Sequence, residues 1–414
     1  GFYGRFVRHL GQTTRQLMLE SRHALIETDR LSAAIGAAYG VLCLDRFEGM
    51  TKAVTRRLAR ELDWQILPDG GHVGRNPRIL VDLLLDLLPL RSLYAAKGME
   101  PPRELSGAID RMMPQIRMFR HGDGALALFN GMGTTQPEQL ATLLAYDDAR
   151  AQPMTEARYS GYARMEAGSA LVIADVGHVV DIWSSGQACA GPLAFEFSSG
   201  RQRLVVNCGA PSSASPEIER AARSTPAHST LTLNDDSVAH FVGIGGEQLL
   251  LGGPKVVSCR REVEATGSVV IEGAHDGYVG RYGMTHERLL RLSGDGRELT
   301  GRDRLSGALR GGEDLPGVLR FHLHPTVTIA PMEGGMAALM STPAQEIWIF
   351  EAGGMPVVVE ESVFFAGPDG TRRTSQIVVA FDVRETREAL WRFRRSERPS
   401  RKPAEAGSGD AQLL

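Results

Sequence analysis

Apolar residues recur at helical spacing through the first third of the chain. Small residues such as Ala33, Gly36 and Ala37 lie in the first of these segments and allow neighbouring helices to pack closely. Short connections containing glycine or proline separate the segments, so successive antiparallel helix pairs are the simplest arrangement. The pattern predicts helices over Leu25–Leu44, Thr51–Trp64, Arg78–Lys97, Arg103–Phe119 and Gln136–Ala145.

The pattern changes near Asp148, where helical spacing gives way to short runs of β-branched and aromatic residues. Glycine, serine and aspartate turns separate these runs, and so many short strands predict an antiparallel β-sandwich of large sheets. The predicted strands include Ala170–Ala174, Arg203–Asn207, Ser229–Leu233, Val256–Cys259, Ser268–Glu272, Arg288–Leu292, Val318–His322, Glu346–Phe350, Val357–Glu361 and Gln376–Phe381.

Helices followed by strands indicate two segregated domains, and 414 residues exceed one ordinary domain. We therefore expect an α+β multidomain chain, with a helical domain over 1–150 and a β-sandwich over 151–396. The last stretch, 397–414, is rich in proline, serine, glycine and alanine, and is expected to be a mobile tail.

A polar, glycine-rich loop over 66–77 separates the second and third predicted helices. Pro68 and two glycines end the first of these helices, and Asn76 with Pro77 can cap and open the next. Such a loop is either a working surface or an ordinary helix connection with solvated side chains, and the pattern favours neither. Its chemically interesting residues are Asp69, His72, Arg75 and Asn76.

Composition is ordinary for a globular protein, with 43% hydrophobic and 23% charged residues. A formal net charge of −3 gives no indication of a nucleic-acid partner, so an acidic polysaccharide would require a local basic cluster. The four cysteines are widely spaced and form no recognisable metal motif or disulfide framework. No apolar run of about eighteen residues occurs, so no transmembrane helix is expected.

Three short segments resemble the heparinase II/III family of polysaccharide lyases. They are the loop ILPDGGH ending at His72, the segment Thr225–Asp235 and the segment Arg320–Pro325. The likeness runs from about Glu27 to Arg395, and it implies that the helix pairs form an incomplete α/α toroid ahead of the sandwich. Family members usually carry more helices on the amino-terminal side. We therefore expect this chain to be truncated there, which would also hide any export signal.

The resemblance implies β-elimination on a uronic-acid polysaccharide, in which one group neutralises the carboxylate while others remove and donate protons. The family's histidine of the β domain matches His228. Its Asn-His pair matches Thr28-Asp29-Arg30, where Arg30 could neutralise a carboxylate, Asp29 would oppose one, and two solvated charges are the alternative. Its proton-transferring tyrosine falls on Ile79, which cannot titrate.

Tyr278 is the first candidate to replace that tyrosine, because a His-Asp-Gly turn precedes it. His72 is a candidate base, and Arg75 is a candidate for binding a carboxylate or sulfate. Tyrosines more often serve in packing, and most lone histidines are structural. The remaining candidates for substrate binding are Asp69, Asn76 and Tyr282.

His322 and His324 project from the same face of a predicted strand. Together with Asp235 they could hold a structural divalent ion such as zinc or calcium, and two histidines on a wet face are the alternative. The predicted reaction itself requires no cofactor.

The leading hypothesis is therefore a polysaccharide lyase that acts on an acidic polysaccharide or oligosaccharide. One alternative, favoured by Ile79, is a carbohydrate-binding relative that has lost the chemistry. Another is a hydrolase or lyase for an unrelated envelope polymer. The resemblance implies the periplasm or cell envelope, leaves the cytoplasm open, and is compatible with a homodimer.

Overall fold

Six helices occupy the amino-terminal third of the computed structural model, which describes residues 1–146, 152–255, 257–310 and 315–396. The five predicted helices are confirmed to within two residues at each end, and a further helix precedes them. The predicted domain boundary at residue 150 and the predicted tail over 397–414 lie outside the described residues. The helices are α1 (Phe2–His23), α2 (Glu27–Cys43), α3 (Thr51–Gln65), α4 (Pro77–Ala96), α5 (Arg103–Met118) and α6 (Pro137–Ala145).

Helix α4 is the buried centre of this helical layer. Asn76 caps it by accepting a hydrogen bond from the backbone N–H of Arg78 at 2.8 Å, and Pro77 is its first residue. It packs against α2, α5 and α6, which explains why its sequence is almost continuously apolar. Among the described residues, no helix combines the length and apolar character that a membrane crossing requires.

Nineteen strands and two short helices make up the remaining described part of the chain. The two short helices are α7 (Pro216–Arg223) and α8 (Val279–Tyr282). The strands are β1 (Glu156–Ala157), β2 (Tyr162–Ala167), β3 (Ala170–Asp175), β4 (Phe195–Ser199), β5 (Gln202–Val206), β6 (Leu231–Leu233), β7 (Ala239–Ile244), β8 (Glu247–Gly252), β9 (Val257–Val263), β10 (Val269–Tyr278), β11 (Met284–Leu292), β12 (Glu298–Gly307), β13 (Pro316–Leu323), β14 (Thr328–Pro331), β15 (Ala337–Ser341), β16 (Ile347–Glu351), β17 (Val358–Phe364), β18 (Arg372–Asp382) and β19 (Glu388–Arg395).

Two large antiparallel sheets form the predicted sandwich. The first sheet has the order β1-β2-β3-β4-β5-β13-β18-β17, with β6 also paired to β13. The second has the order β14-β15-β16-β19-β12-β11-β10-β9, and β7 and β8 form a separate hairpin. Aromatic rings fill the space between the sheets: the centroid of Phe321 lies 4.8 Å from that of Trp391, 5.0 Å from Phe350 and 5.6 Å from Phe393.

The first sheet is covered on both faces, so the molecule has three layers. In β3, Leu171 and Ile173 pack with the helices, whereas Val172 and Ala174 pack with the second sheet. A strand buried on both faces reads as an unbroken apolar run, and β3 has that sequence. The seam between the helical layer and the first sheet contains most of the sequence-predicted loop residues.

Candidate functional site

Asp69 fastens the 66–77 loop to the segment that precedes β2. Its carboxylate accepts hydrogen bonds from the backbone N–H groups of Tyr159 and Ser160, both at 2.8 Å. It also accepts one from the N–H of Gly71 at 3.1 Å within its own loop. Asp69, a predicted substrate-binding residue, therefore helps to hold the loop to the segment before β2.

Arg75 makes a second and larger connection across the seam. Its guanidinium donates to the carbonyl oxygens of Ser160 at 2.7 Å and Gly161 at 3.0 Å. It also donates to the carbonyl of His178 at 2.8 Å and forms a buried ion pair with Asp175. Burial alone would lower the pKa of Arg75, but the nearby Asp175 carboxylate raises it above its usual value. The Arg75 guanidinium, which was predicted to bind a substrate anion, is therefore bound by groups of the protein itself.

His72 is fully enclosed within the loop, with only 1% of its surface exposed. Its Nδ1 accepts from the N–H of Gly74 at 2.9 Å, so Nε2 carries the proton and donates to Oε1 of Gln65 at 3.0 Å. Burial lowers the pKa of His72 to about 4. The ring is therefore neutral near pH 7, and both of its nitrogens hold the loop.

The position at which the resemblance implies a tyrosine is buried. Ile79 lies buried in the first turn of α4. Asn76, just before that helix, is also buried, and its amide donates to Oε1 of Gln187 at 2.6 Å. The segment that carries Gln187 continues to Gly191, where a Cβ atom would come within 2.6 Å of the ring of His228. Segment 187–191 therefore contacts Asn76, just before α4, at one end and His228 at the other.

His228 follows a short turn before β6 and is 3% exposed. Its Nδ1–H donates to the carbonyl oxygen of Ser224 at 2.8 Å, which leaves the lone pair on Nε2 in the neutral ring. Burial lowers the pKa of His228, although the Ser224 carbonyl works in the opposite direction. Within the described residues, no hydrogen bond joins His228 to His72 or to a tyrosine hydroxyl.

Tyr278 and Tyr282 lie in the sandwich, away from the 66–77 loop. The Tyr278 hydroxyl is buried and donates to the carbonyl oxygen of Leu231 at 2.9 Å, and burial raises its pKa. Tyr282 donates to the carboxylate of Asp236, and burial together with that carboxylate raises its pKa. Among the described residues, the Tyr278 hydroxyl makes no hydrogen bond to His72 or His228, the histidines with which it was predicted to act. The hydroxyl of Tyr282, a predicted substrate-binding residue, is bound to a carboxylate of the protein.

The three predicted metal ligands are not assembled. His322 donates from Nε2 to the carbonyl of Pro226 at 2.9 Å, and its Nδ1 accepts from Ser362 at 2.8 Å. Asp235 instead binds the guanidinium of Arg320 at 2.7 Å. His324 bonds Thr326 at 2.8 Å. Across the described parts of the chain, no group of three or more His, Cys, Asp or Glu side chains is placed to hold a metal ion.

A cleft of about 910 Å³ opens between the helical layer and the β layers. The side chains of Trp64, at the end of α3, and Tyr159, before β2, line it and are 64% and 67% exposed. Exposed aromatic faces beside polar groups suit the apolar face of a sugar ring. The sequence signal that could have indicated this site is Trp64, a tryptophan on the polar side of an amphipathic helix.

Glu27 holds Trp64 in place at the floor of this cleft. Its carboxylate accepts a hydrogen bond from the indole N–H at 2.9 Å, and further hydrogen bonds from Ser184 and Arg30. Burial raises the pKa of Glu27, but the hydrogen bonds from Ser184 and Trp64 outweigh that effect and lower it. Arg30 also contacts Glu61 at 3.6 Å, so this predicted carboxylate-binding residue is paired with two acids of the protein.

Besides the buried Arg75, three arginines line the cleft. Arg158 pairs with Glu156 at 2.9 Å, and Arg260 pairs with Glu262. Arg261 donates to the backbone carbonyl of Arg164 at 3.2 Å, and among the described residues it has no carboxylate partner. A guanidinium without a carboxylate partner in the protein can bind a carboxylate or sulfate of a ligand.

Comparisons with known proteins agree with this architecture. The model of the heparinase II/III-like C-terminal domain matches residues 149–392. FtsZ-localized protein C of Caulobacter vibrioides is 35% identical over 381 residues, which is 89% of this chain and 65% of that protein. The chain thus spans less than two thirds of the length of that relative.

Solved structures of two lyases superpose on most of the chain. Heparinase III matches with a TM-score of 0.71 and 12% identity, over 90% of this chain and 61% of that one. Heparan sulfate lyase HepC from Pedobacter heparinus matches with a TM-score of 0.69 and 12% identity, over 96% of this chain and 64% of that one. At this identity the likeness concerns the fold alone, and it confirms the predicted fold class.

Proposed function

The chain belongs to the heparinase II/III-like family, and from this premise we propose that it binds a saccharide in the cleft without cleaving it by β-elimination. The proposal rests on the burial and the hydrogen bonding of the residues that were predicted to transfer protons. His72, His228 and Tyr278 are 1%, 3% and 2% exposed, and each is hydrogen-bonded within the protein. β-Elimination requires a base and an acid that both reach the substrate.

The cleft offers binding groups in place of that chemistry. Trp64 and Tyr159 provide two aromatic faces for sugar rings, and Arg261 provides a cation that no protein carboxylate occupies in the described part of the chain. These groups favour a saccharide that carries a carboxylate or sulfate. The proposed ligand class therefore matches the acidic polysaccharides inferred from the sequence.

Calorimetric titration with a panel of uronic-acid oligosaccharides tests this proposal. Trp64→Ala and Tyr159→Ala should each weaken binding about tenfold, which corresponds to about 1.4 kcal/mol. Tyr3→Ala serves as the control, because Tyr3 is an exposed tyrosine that does not line the cleft. Unchanged affinity in both cleft variants would refute the proposed site.

Lyase activity is the second candidate, favoured by the tautomer of His228. A ring whose Nδ1–H is bound to a carbonyl presents the Nε2 lone pair that a general base needs. The same oligosaccharides should be followed by ultraviolet absorbance of unsaturated uronate. A rise that is lost in His228→Asn, which retains a donor for the Ser224 carbonyl, would establish the lyase and reject the non-catalytic proposal.

The name of the Caulobacter relative refers to FtsZ and not to an enzymatic reaction, which is consistent with altered chemistry. We extend this name to a proposal that the present protein also localises with FtsZ. A fluorescent fusion of the full-length protein, imaged beside labelled FtsZ, should give coincident bands. A uniform distribution of the fusion would contradict this proposal.

A further inference from the structure

A second cavity, of about 540 Å³, lies along the seam between the helical layer and the first sheet. Arginines from several separate elements line it: Arg117 in the last turn of α5, Arg120 just after that helix, Arg164 in β2 and Arg201 in the β4–β5 turn. Within the described lining, Glu166 is the one acidic residue, and Arg164 already binds it. The cavity is therefore strongly basic.

Two of these arginines have structural explanations. Arg164 donates to the carbonyl oxygens of Met118 at 2.7 Å and Arg120 at 3.0 Å, which closes the end of α5. Arg117 lies in the last turn of α5, where a cation offsets the helix dipole. Neither explanation applies to the exposed side chains of Arg120 and Arg201, for which the described residues provide no carboxylate partner.

Two touching turns bring Arg120 and Arg201 to the same rim. The turn at Gly122 approaches the turn at Gly200 so closely that a Cβ atom on Gly122 would lie 2.0 Å from the Gly200 carbonyl oxygen. Arg120 and Arg201 flank these two glycines and both line the cavity. Two cations at one rim repel each other unless an anion lies between them.

The arginine cavity continues the saccharide cleft along β2. Tyr162 lines the cleft, and Arg164 and Glu166 of the same strand line the arginine cavity. Four residues of strand separate Tyr162 from Glu166, a distance of about 13 Å. A smaller cavity of about 480 Å³ shares Arg158 and Tyr159 with the cleft, and Met154 in its lining follows Pro153 of the arginine cavity in the chain.

We propose that the arginine cavity is a second anion-binding subsite for the ligand of the cleft, and that this ligand is an elongated saccharide with several carboxylate or sulfate groups. The inference rests on the proposed function, since the cleft must bind the first part of the chain. Guanidinium groups recognise both anions through paired N–H donors. A ligand of one sugar is too short to occupy both cavities.

The test compares a heparin disaccharide, which is too short to span the two cavities, with a long heparin fragment in calorimetric titrations at low salt. In the Arg120→Glu/Arg201→Glu variant, affinity for the long fragment should fall about tenfold or more, whereas affinity for the disaccharide stays within about twofold. The matched control is Arg56→Glu/Arg373→Glu, which makes the same change in net charge at exposed arginines outside both cavities.

Equal losses in the test and control variants would show an effect of overall charge and would overturn the inference. An undiminished affinity for the long fragment in the test variant would do the same. If the disaccharide binds and Trp64→Ala weakens its binding, the proposed function stands even when the arginine subsite fails. If neither fragment binds the unaltered protein, both proposals are wrong.

Discussion

Arg75 is the residue whose replacement should most weaken the attachment of the helical layer to the first sheet. Arg75→Met keeps most of the apolar stem but removes four hydrogen bonds to Ser160, Gly161, His178 and Asp175. The Asp175 carboxylate is buried, so the substitution leaves it without its cation.

The expected loss in free energy of unfolding is about 3–5 kcal/mol, the usual cost of removing one member of a buried ion pair. Asp175→Asn should cost about 3 kcal/mol. This substitution leaves Arg75 charged without a carboxylate partner. It also replaces the Asp175 oxygen that accepts a hydrogen bond from the Asn130 amide, at 3.1 Å, with an N–H group that can only donate. The double variant should lose less than the sum of the two by about 1–3 kcal/mol, because no buried charge remains unpaired.

Urea unfolding followed by far-ultraviolet circular dichroism measures these losses. The control is Arg220→Met, because Arg220 and Glu217 form a 3.9 Å pair between exposed side chains and should contribute less than about 0.5 kcal/mol. A loss below about 1 kcal/mol in Arg75→Met would refute the reasoning. Full additivity in the double variant would refute it as well.

Three further predictions concern His72, Phe321 and Asn76. Lowering the pH from 7 to 5 should cost about 2 kcal/mol through His72 alone, because an unfolded imidazole with the ordinary pKa takes up a proton before the buried ring with its pKa of about 4. His72→Asn, compared by urea midpoints at both pH values, should lose this part of the acid sensitivity, and an unchanged pH dependence would contradict the assignment. Phe321→Ala should cost about 3–5 kcal/mol in thermal unfolding, since Phe321 contacts rings of both sheets, and a loss no larger than that of Phe321→Leu would count against this packing. Asn76→Ala should cost about 1–2 kcal/mol by removing the cap of α4 and the bond to Gln187, and a neutral result in urea unfolding would show that neither bond matters.

Ile79, the position at which the resemblance implies a tyrosine, serves the packing of this fold. The helices and sheets need an apolar residue in the first turn of α4, and isoleucine satisfies that packing. A chain can therefore keep the packing of the family fold without a titratable group at this position, and the fold alone does not establish activity.

The sequence by itself determined the helices and the class of the fold. The bounds of α3, α4 and α5 follow from apolar spacing and from a local cap such as Asn76, all of which lie within a few residues of one another. Strands such as β12 and β19 were not among those predicted. They carry several charged residues, and the two strands pair with each other across more than eighty residues of chain.

Only the tertiary structure determined which partners the polar side chains bind. Arg75 is 100 residues from Asp175 in the chain, yet their contact turns a predicted ligand-binding arginine into a structural one. Arg120 and Arg201 line the same cavity because two distant turns touch, which no local pattern records. Helical periodicity is set by neighbouring residues, whereas the charge state and accessibility of a side chain depend on everything packed around it.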